Sequence, residues 1–531
     1  MSYKVDNAII LAAGMSSRFV PLSYEKPKAL LKVKNEILIE RQIRQLKDAG
    51  INDITIVVGY LKEQFFYLEE KFDVSIVVNE DYYKYNNTSS LIRVLDKLKN
   101  TYICSADNYF TENIFNSEEP YAFYSSAFIE DQTKEYVLTY NKDNLITDVS
   151  IGGIKNNWIM IGHVFFTKDV SDKFKSLLLN EYEKLEVKNN LWEDFYRQHI
   201  SELPLYIKKF QNNIIWEFDS INDLRKFDNN YIENIDSSII NNICSVFNCS
   251  PSQIRDFTPI KEGLTNTSFW FSLPEGKFVY RHPGKGTEKY INRVNEYNSE
   301  VLAKHLELDN TFFYMDNNEG WKISHYCSNA RILDYHNQED VKKAISLMRK
   351  LHKESIQVDY TFDIWKKTNS LLDSVHQSGK DNFQDFRELK TLMTKVYEIF
   401  SSENNIKCLC HCDCDCYAPN FMIHDDKMDL IDWEYSGMDD PAIDLGTFIA
   451  CSDYSYDEAI HILNLYHEAE LPAKQLRHYL AAISISSYYW FIWALYQEVL
   501  GKYTDEWVYV WYKTALKYAH KTINLQTQQL N

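Results

Sequence analysis

The segment from Cys408 to Asp432 reads C-L-C-H-C-D-C-D-C-Y-A-P-N-F-M-I-H-D-D-K-M-D-L-I-D. It carries an acid (Asp413 or Asp415), an amide at Asn420, and a further acid, Asp432, closing an apolar run. That set meets the needs of phosphoryl transfer. One carboxylate accepts a hydroxyl proton, and the oxygens of an Asn and an Asp suit hard Mg²⁺ held against nucleotide phosphates. The doubled C-D leaves Asp413 and Asp415 as alternatives for the base. Five cysteines at alternate positions from 408 to 416 fall on one face of an extended strand or loop. Zinc sites usually show C-x-x-C pairs, so this spacing argues against zinc, and the ten cysteines read as reduced thiols.

A chain of 531 residues has room for three ordinary domains or two large ones. Its net charge of −19 disfavours nucleic acid or an anionic membrane as the main partner, so any phosphate site must be built locally. Tyrosine is abundant at 38, and most aromatics at that density serve packing. The apolar run near the N-terminus is too short for a signal peptide and leads straight into a folded segment, so a cytoplasmic location is expected. Leu480 to Leu495 is Ser-interrupted and flanked by Arg477 and His478. It falls short of the roughly 20 residues a membrane span needs and reads as a buried helix.

From Asp6 to Asp107 apolar runs alternate with amphipathic segments. Residues 8–11, 54–58, 74–78 and 102–106 read as buried strands, and 39–49, 61–72 and 89–98 as helices. This β-α-β series predicts a parallel three-layer sheet with its site at the carboxyl ends of the strands. After the first strand comes L-A-A-G-M-S-S-R-F, then K-P-K-A-L. After Leu11 the small residues Ala12, Ala13 and Gly14 let backbone N–H groups approach phosphates, and Arg18 and Lys28 add positive charge there. Asp107, in S-A-D-N, ends the fourth strand, where it can hold Mg²⁺ or simply cap a turn.

On these residues, positions 5 to about 228 resemble the sugar-nucleotide-type nucleotidyltransferases, most closely the bacterial CTP:phosphocholine cytidylyltransferases. The resemblance implies a Rossmann-like, GT-A-like sheet, a second metal ligand at Asp219 in W-E-F-D-S, and attack by a phosphate monoester on the α-phosphate of CTP. Lys28, Arg18 and Mg²⁺ would take up the developing charge. A choline head group needs aromatic faces and nearby carboxylates. Trp158, Trp192, Glu193, Asp194 and Tyr196 have that chemistry, although Trp192 also fits the buried face of a helix. Asn86, Asn87, Ser89 and Ser90 read as a substrate loop or a helix start.

A polar stretch between Phe227 and Ser238 marks the expected boundary, giving domains 1–229 and 230–531. Beyond it, residues 260–282 read as two strands joined at P-E-G, preceded by a turn, G-L-T-N-T-S, in which Thr265 and Asn266 could cover nucleotide phosphates. Arg281 stands where protein kinases place a lysine, with Glu296 as its expected ion-pair partner and Glu300 as the alternative. A hinge strand at 322–327 and amphipathic helices at 341–352, 363–375 and 385–400 follow.

This layout resembles the choline kinases and, more distantly, the aminoglycoside phosphotransferases over about 260–520, which implies a bilobal protein-kinase-like α+β domain. F-V-Y-R-H-P-G fits the pattern in which Arg replaces the usual lysine. I-D-W-E-Y followed by D-P-A-I-D-L-G fits a metal-binding Asp432 and a structural Asp444. Trp490 and Trp493, in a W-x-x-W helix, would wall a quaternary-ammonium pocket with Tyr435 or serve the core. The family spacing, with the base five residues before the Asn, points to Asp415 and Asn420 and leaves Asp413 where the family often has His.

The expected function is bifunctional: phosphorylation of choline with ATP, then transfer of phosphocholine to CTP, with Mg²⁺ as cofactor. No nucleic-acid partner and no membrane insertion are expected. Ethanolamine or another amino alcohol as substrate, a sugar-phosphate nucleotidyltransferase half, and a non-catalytic kinase-like half are the rivals.

Overall fold

The apolar runs of the N-terminal segment form the centre of a nine-stranded sheet in the computed structural model. Asn7–Ala12 pairs in parallel with Ile54–Val58 on one side and Thr101–Ser105 on the other, and Ser75–Val78 extends it beyond Ile54–Val58. Both faces of Asn7–Ala12 are covered, which is why its sequence from Ala8 onward is an unbroken apolar run rather than an alternating one. Asn157–Phe166 adds antiparallel to Thr101–Ser105.

The amphipathic segment after the first strand forms the helix Leu38–Asp48. The helices expected at 61–72 and 89–98 break into shorter pieces, Lys62–Phe65 with Tyr67–Phe72, and Thr88–Leu91 with Ile92–Lys97. Leu61 enters the first pair in the left-handed region (φ 48°), and Val94 leaves helical geometry inside the second.

The structure describes residues 2–153, 155–260, 266–284, 286–289, 291–354, 356–382, 384–403, 407–413, 420–501, 504 and 506–530. Two compact units divide at Pro259/Ile260. The expected boundary at 229/230 therefore lies inside the first unit. Glu25 Oε1 accepts N–H bonds from Ser238 (2.7 Å) and Ile239 (3.2 Å) at the start of the helix Ser238–Phe247. Arg225 donates to the Ile254 carbonyl (2.7 Å), so the segment after the polar stretch folds back onto the first unit.

In the second unit the strands Thr267–Leu273, Gly276–His282, Lys322–His325 and Phe312–Met315 form an antiparallel sheet in that order, with the helix Arg293–His305 after the hairpin. A helical lobe follows. Its centre is the helix Ala473–Val499, buried on every side from Leu480 to Ala494, as a helix with no charged face must be. Gly446 lets the helix Ala442–Ala450 approach closely, since a Cβ there would lie 2.8 Å from the Ala482 carbonyl oxygen. Among the described residues no helix is long and apolar enough to cross a membrane.

Two candidate active sites

In the first unit the chain leaves Asn7–Ala12 at the carboxyl edge of the sheet. Leu11, Ala12, Ala13 and Gly14 line a cleft of about 570 Å³ there, together with Lys28 and Asp107. Lys28 opens a short 3-10 helix, and its Nζ lies 2.8 Å from Asp107 Oδ2 and 3.6 Å from Asp219 Oδ1. Burial opposes the ammonium charge, but Asp107, with Asp219 and Glu217 behind it, outweighs that and holds the pKa above an ordinary lysine's. Arg18, mostly exposed, reaches Asp219 Oδ1 at 3.0 Å.

Asp219 arrives through strand pairing: Ile215–Glu217 runs antiparallel to Asn108–Phe110, opposing Glu217 to Asn108. The same pairing brings in Glu217, which sequence reasoning missed. Carboxylate oxygens of Asp107, Glu217 and Asp219 lie within 4.8 Å of one another, a donor set suited to a hard cation. Desolvation, then the Asp107 and Asp219 charges, push the Glu217 carboxyl well above its ordinary range. Glu217 keeps solvent contact, so the two charges outweigh desolvation there.

The residues expected to hold a choline group fall elsewhere. Trp192 is 3% exposed, stacked on Tyr124 (5.7 Å) and edge-on to Phe166 and Phe174, so it belongs to the core. Tyr196 is likewise fully buried. Trp158 is half-buried against Phe128, with Lys209 Nζ 5.3 Å from its ring centre. Asp194 lies 3.5 Å from Arg197. Glu193 is buried, accepting from Tyr124 (3.3 Å) and Asn87 (3.4 Å), and burial raises its pKa to about 7. None of Trp158, Trp192, Glu193 and Asp194 lines the cleft. Its aromatic wall is Tyr82, Tyr83 and Tyr85, from a D-Y-Y-K-Y-N-N run, and Asn86, Asn87 and Ser90 follow at the start of Thr88–Leu91.

In the second unit Arg281 is buried on Gly276–His282 and binds Glu296, the partner expected. Glu300 pairs instead with Lys322 (2.5 Å). Arg281 Nη1 also lies 2.8 Å from Asp432 Oδ1 and 3.5 Å from Glu434 Oε2. Glu434 was missed; it accepts from Asn266 (3.1 Å) and lies 3.5 Å from Arg293. The oxygens of Glu296, Asp432 and Glu434 lie within 4.8 Å of one another. Burial, then Asp432, raises Glu434 to about 7. Asp432 is desolvated too, but Arg281, Lys322 and His411 outweigh that and hold its pKa below the ordinary range.

Asn420 is tied to the residue before Asp432: its carbonyl accepts from Ile431 N (2.9 Å), and its Nδ2 donates to the Asp413 carbonyl (2.7 Å). Asp444 holds the start of the loop. It accepts from the backbone N–H groups of His411 (2.9 Å) and Cys412 (2.7 Å) and from His352 Nε2 (2.9 Å). Asp415 and Thr265 lie outside the described residues.

Tyr435, Trp490 and Trp493 do come together, with ring centres 6.0 Å apart from Tyr435 to Trp490 and 5.5 Å from Trp490 to Trp493. The cavity bordered by Tyr435, Tyr489 and Trp493 is about 30 Å³, room for about one water.

Residues 8–116 match the MobA-like NTP transferase domain, and residues 257–500 match the choline/ethanolamine kinases. The chain is 40% identical over 221 residues to a choline-phosphate cytidylyltransferase of Streptococcus pneumoniae, covering 42% of this chain and 96% of that one. It is 34% identical over 230 residues to a 2-aminoethylphosphonate cytidylyltransferase of Lancefieldella rimae (43% and 93% covered). With the protein LicA of Haemophilus influenzae it shares 26% identity over 257 residues (45% and 92% covered). With both sites in place, the chain belongs to the choline-phosphate cytidylyltransferase family through its N-terminal unit and joins to it a choline/ethanolamine kinase domain.

Proposed function

We propose that this bifunctional enzyme phosphorylates choline with ATP in its second unit and couples phosphocholine to CTP in its first, giving CDP-choline and pyrophosphate. One observation carries the reading: two cation-and-carboxylate clusters stand in units related to a cytidylyltransferase and to choline/ethanolamine kinases.

In the first unit the loop from Leu11 to Gly14 receives the CTP phosphates, and Lys28 and Arg18 neutralise charge as a phosphocholine oxygen attacks the α-phosphorus and pyrophosphate leaves. In the second unit Asp415 accepts the choline hydroxyl proton and Arg281 positions the ATP phosphates. Asp107, Asp219 and Glu217 in one unit, and Asn420 and Asp432 in the other, offer the oxygen donors that Mg²⁺ takes. Bound there, Mg²⁺ would supply charge neutralisation at the phosphates. Tyr82, Tyr83 and Tyr85 offer faces to the trimethylammonium in the first unit, and in the second Tyr435 and Trp493 do so once the gap between them, now room for about one water, opens. Both nucleotides are available in the cytoplasm, which fits the expected location.

Folded protein given choline, ATP, CTP and Mg²⁺ should form CDP-choline. Absence of that product sinks the proposal. Parallel kinetics with ethanolamine set the head-group preference, and aromatic walls favour the trimethylated ammonium.

A further inference from the structure

The run of alternating cysteines leaves a feature that neither reaction uses. Cys408–Cys410 forms a strand paired with Gly437–Asp439, and both of its cysteines are buried. Their sulfurs lie 3.8 Å apart, and the Cys412 side chain bonds that of Cys410. A ring nitrogen of His352, from the helix Gln338–Lys353, joins them: its ligand atom and the two sulfurs all lie within 4.8 Å of one another. Alternate spacing argues against zinc only when every ligand comes from one segment, and here the imidazole comes from another.

The geometry fits a tetrahedral soft cation. Two thiolates bound to one zinc ion at about 2.3 Å each stand about 3.8 Å apart, the separation found between Cys408 and Cys410. His352 is already oriented. Its Nε2 donates to Asp444 Oδ2 (2.9 Å), the outer carboxylate contact that metal-bound histidines usually have. Among the described residues its Nδ1 meets the hydroxyl of the half-buried Tyr466 (2.8 Å), which can yield the nitrogen. A cavity of about 610 Å³ bordered by His352, Cys408 and Tyr466 provides access.

We propose that His352, Cys408 and Cys410 form a binding site for a thiophilic metal ion of the Zn²⁺ class, with its fourth position open to the cavity. Binding exchanges two S–H bonds for two metal–sulfur bonds, and the two protons leave to solvent, so affinity rises with pH. Occupancy lies one residue from the Asp444 contacts that hold the backbone of His411 and Cys412, and so stabilises the second unit.

The test is a Co²⁺ titration of the full chain after chelator treatment, without nucleotide. The expected result is sulfur-to-cobalt charge-transfer absorption that saturates at about one ion per chain and disappears when Zn²⁺ is added. Cys408→Ser/Cys410→Ser should lose the absorption, and Cys414→Ser/Cys416→Ser should keep it. If the first double variant does not fold, Cys408→Ser alone decides: it borders the cavity and should weaken Co²⁺ binding at least about tenfold. The proposal is overturned by no such absorption in the wild type, by its persistence in Cys408→Ser/Cys410→Ser, by unchanged affinity in Cys408→Ser, or by its loss in Cys414→Ser/Cys416→Ser.

Discussion

The two sites bring a cation to phosphates in different ways. Lys28 is a point charge that chiefly meets Asp107, at the wall of a cleft of about 570 Å³. Arg281 is buried and touches Glu296, Asp432 and Glu434. A planar fork can satisfy several carboxylates in fixed directions, whereas an ammonium serves as a compact charge on a flexible stem. The first site thus depends on its cation for chemistry, and the second depends on its cation for folding as well.

The sharpest break of this comparison is catalytic. Asp415→Ala should lower choline phosphorylation by about 10²–10⁴-fold while leaving CDP-choline synthesis from supplied phosphocholine intact. Asp107→Ala should do the reverse, by about 10²–10³-fold. Assaying the two half-reactions separately checks both, and equal loss of both activities from either change would show that the halves are not independent.

Next comes stability. Arg281→Met leaves buried carboxylates without their cation and should destabilise the second unit by about 3–5 kcal/mol. Lys28→Met, itself buried but beside carboxylates that water can reach, should cost the first unit less, about 1–2 kcal/mol. Denaturant unfolding of each variant measures the contrast.

A smaller effect is set by pH. The folded-state pKa of Glu193, about 7, lies above the ordinary 4.5. Its protonated form therefore favours the fold at low pH, and that contribution is lost as pH rises from about 4.5 to about 7. Melting of the first unit should show this decline, and Glu193→Gln should flatten it by on the order of 3 kcal/mol. Smallest is Trp493→Phe, which keeps a ring in the core and should raise KM for choline by a few-fold while leaving ethanolamine kinetics nearly unchanged.

What the sequence made legible was local. The Gly turn, Lys28 and Asp107 follow from one β-α-β series, and Glu296 lies within reach of Arg281 because a hairpin and a helix follow each other directly. Glu217 and Glu434 were not legible, since each joins its cluster through pairing between distant segments. Trp192 shows the opposite error: its chemistry suits an ammonium, but its place on the apolar face of Trp192–Gln198 commits it to the core. The cleft's aromatic wall lay unread in a tyrosine run that has no apolar periodicity. The boundary was misplaced because a polar stretch marks a loop, while tertiary contacts decide which side it joins.

The central helix of the second unit has one more consequence. Surrounded from Leu480 to Ala494, it has no face from which to fray. Deuterium should enter its amides only when the whole kinase unit opens, so exchange there is expected to read the global stability of that half, free of loop motion.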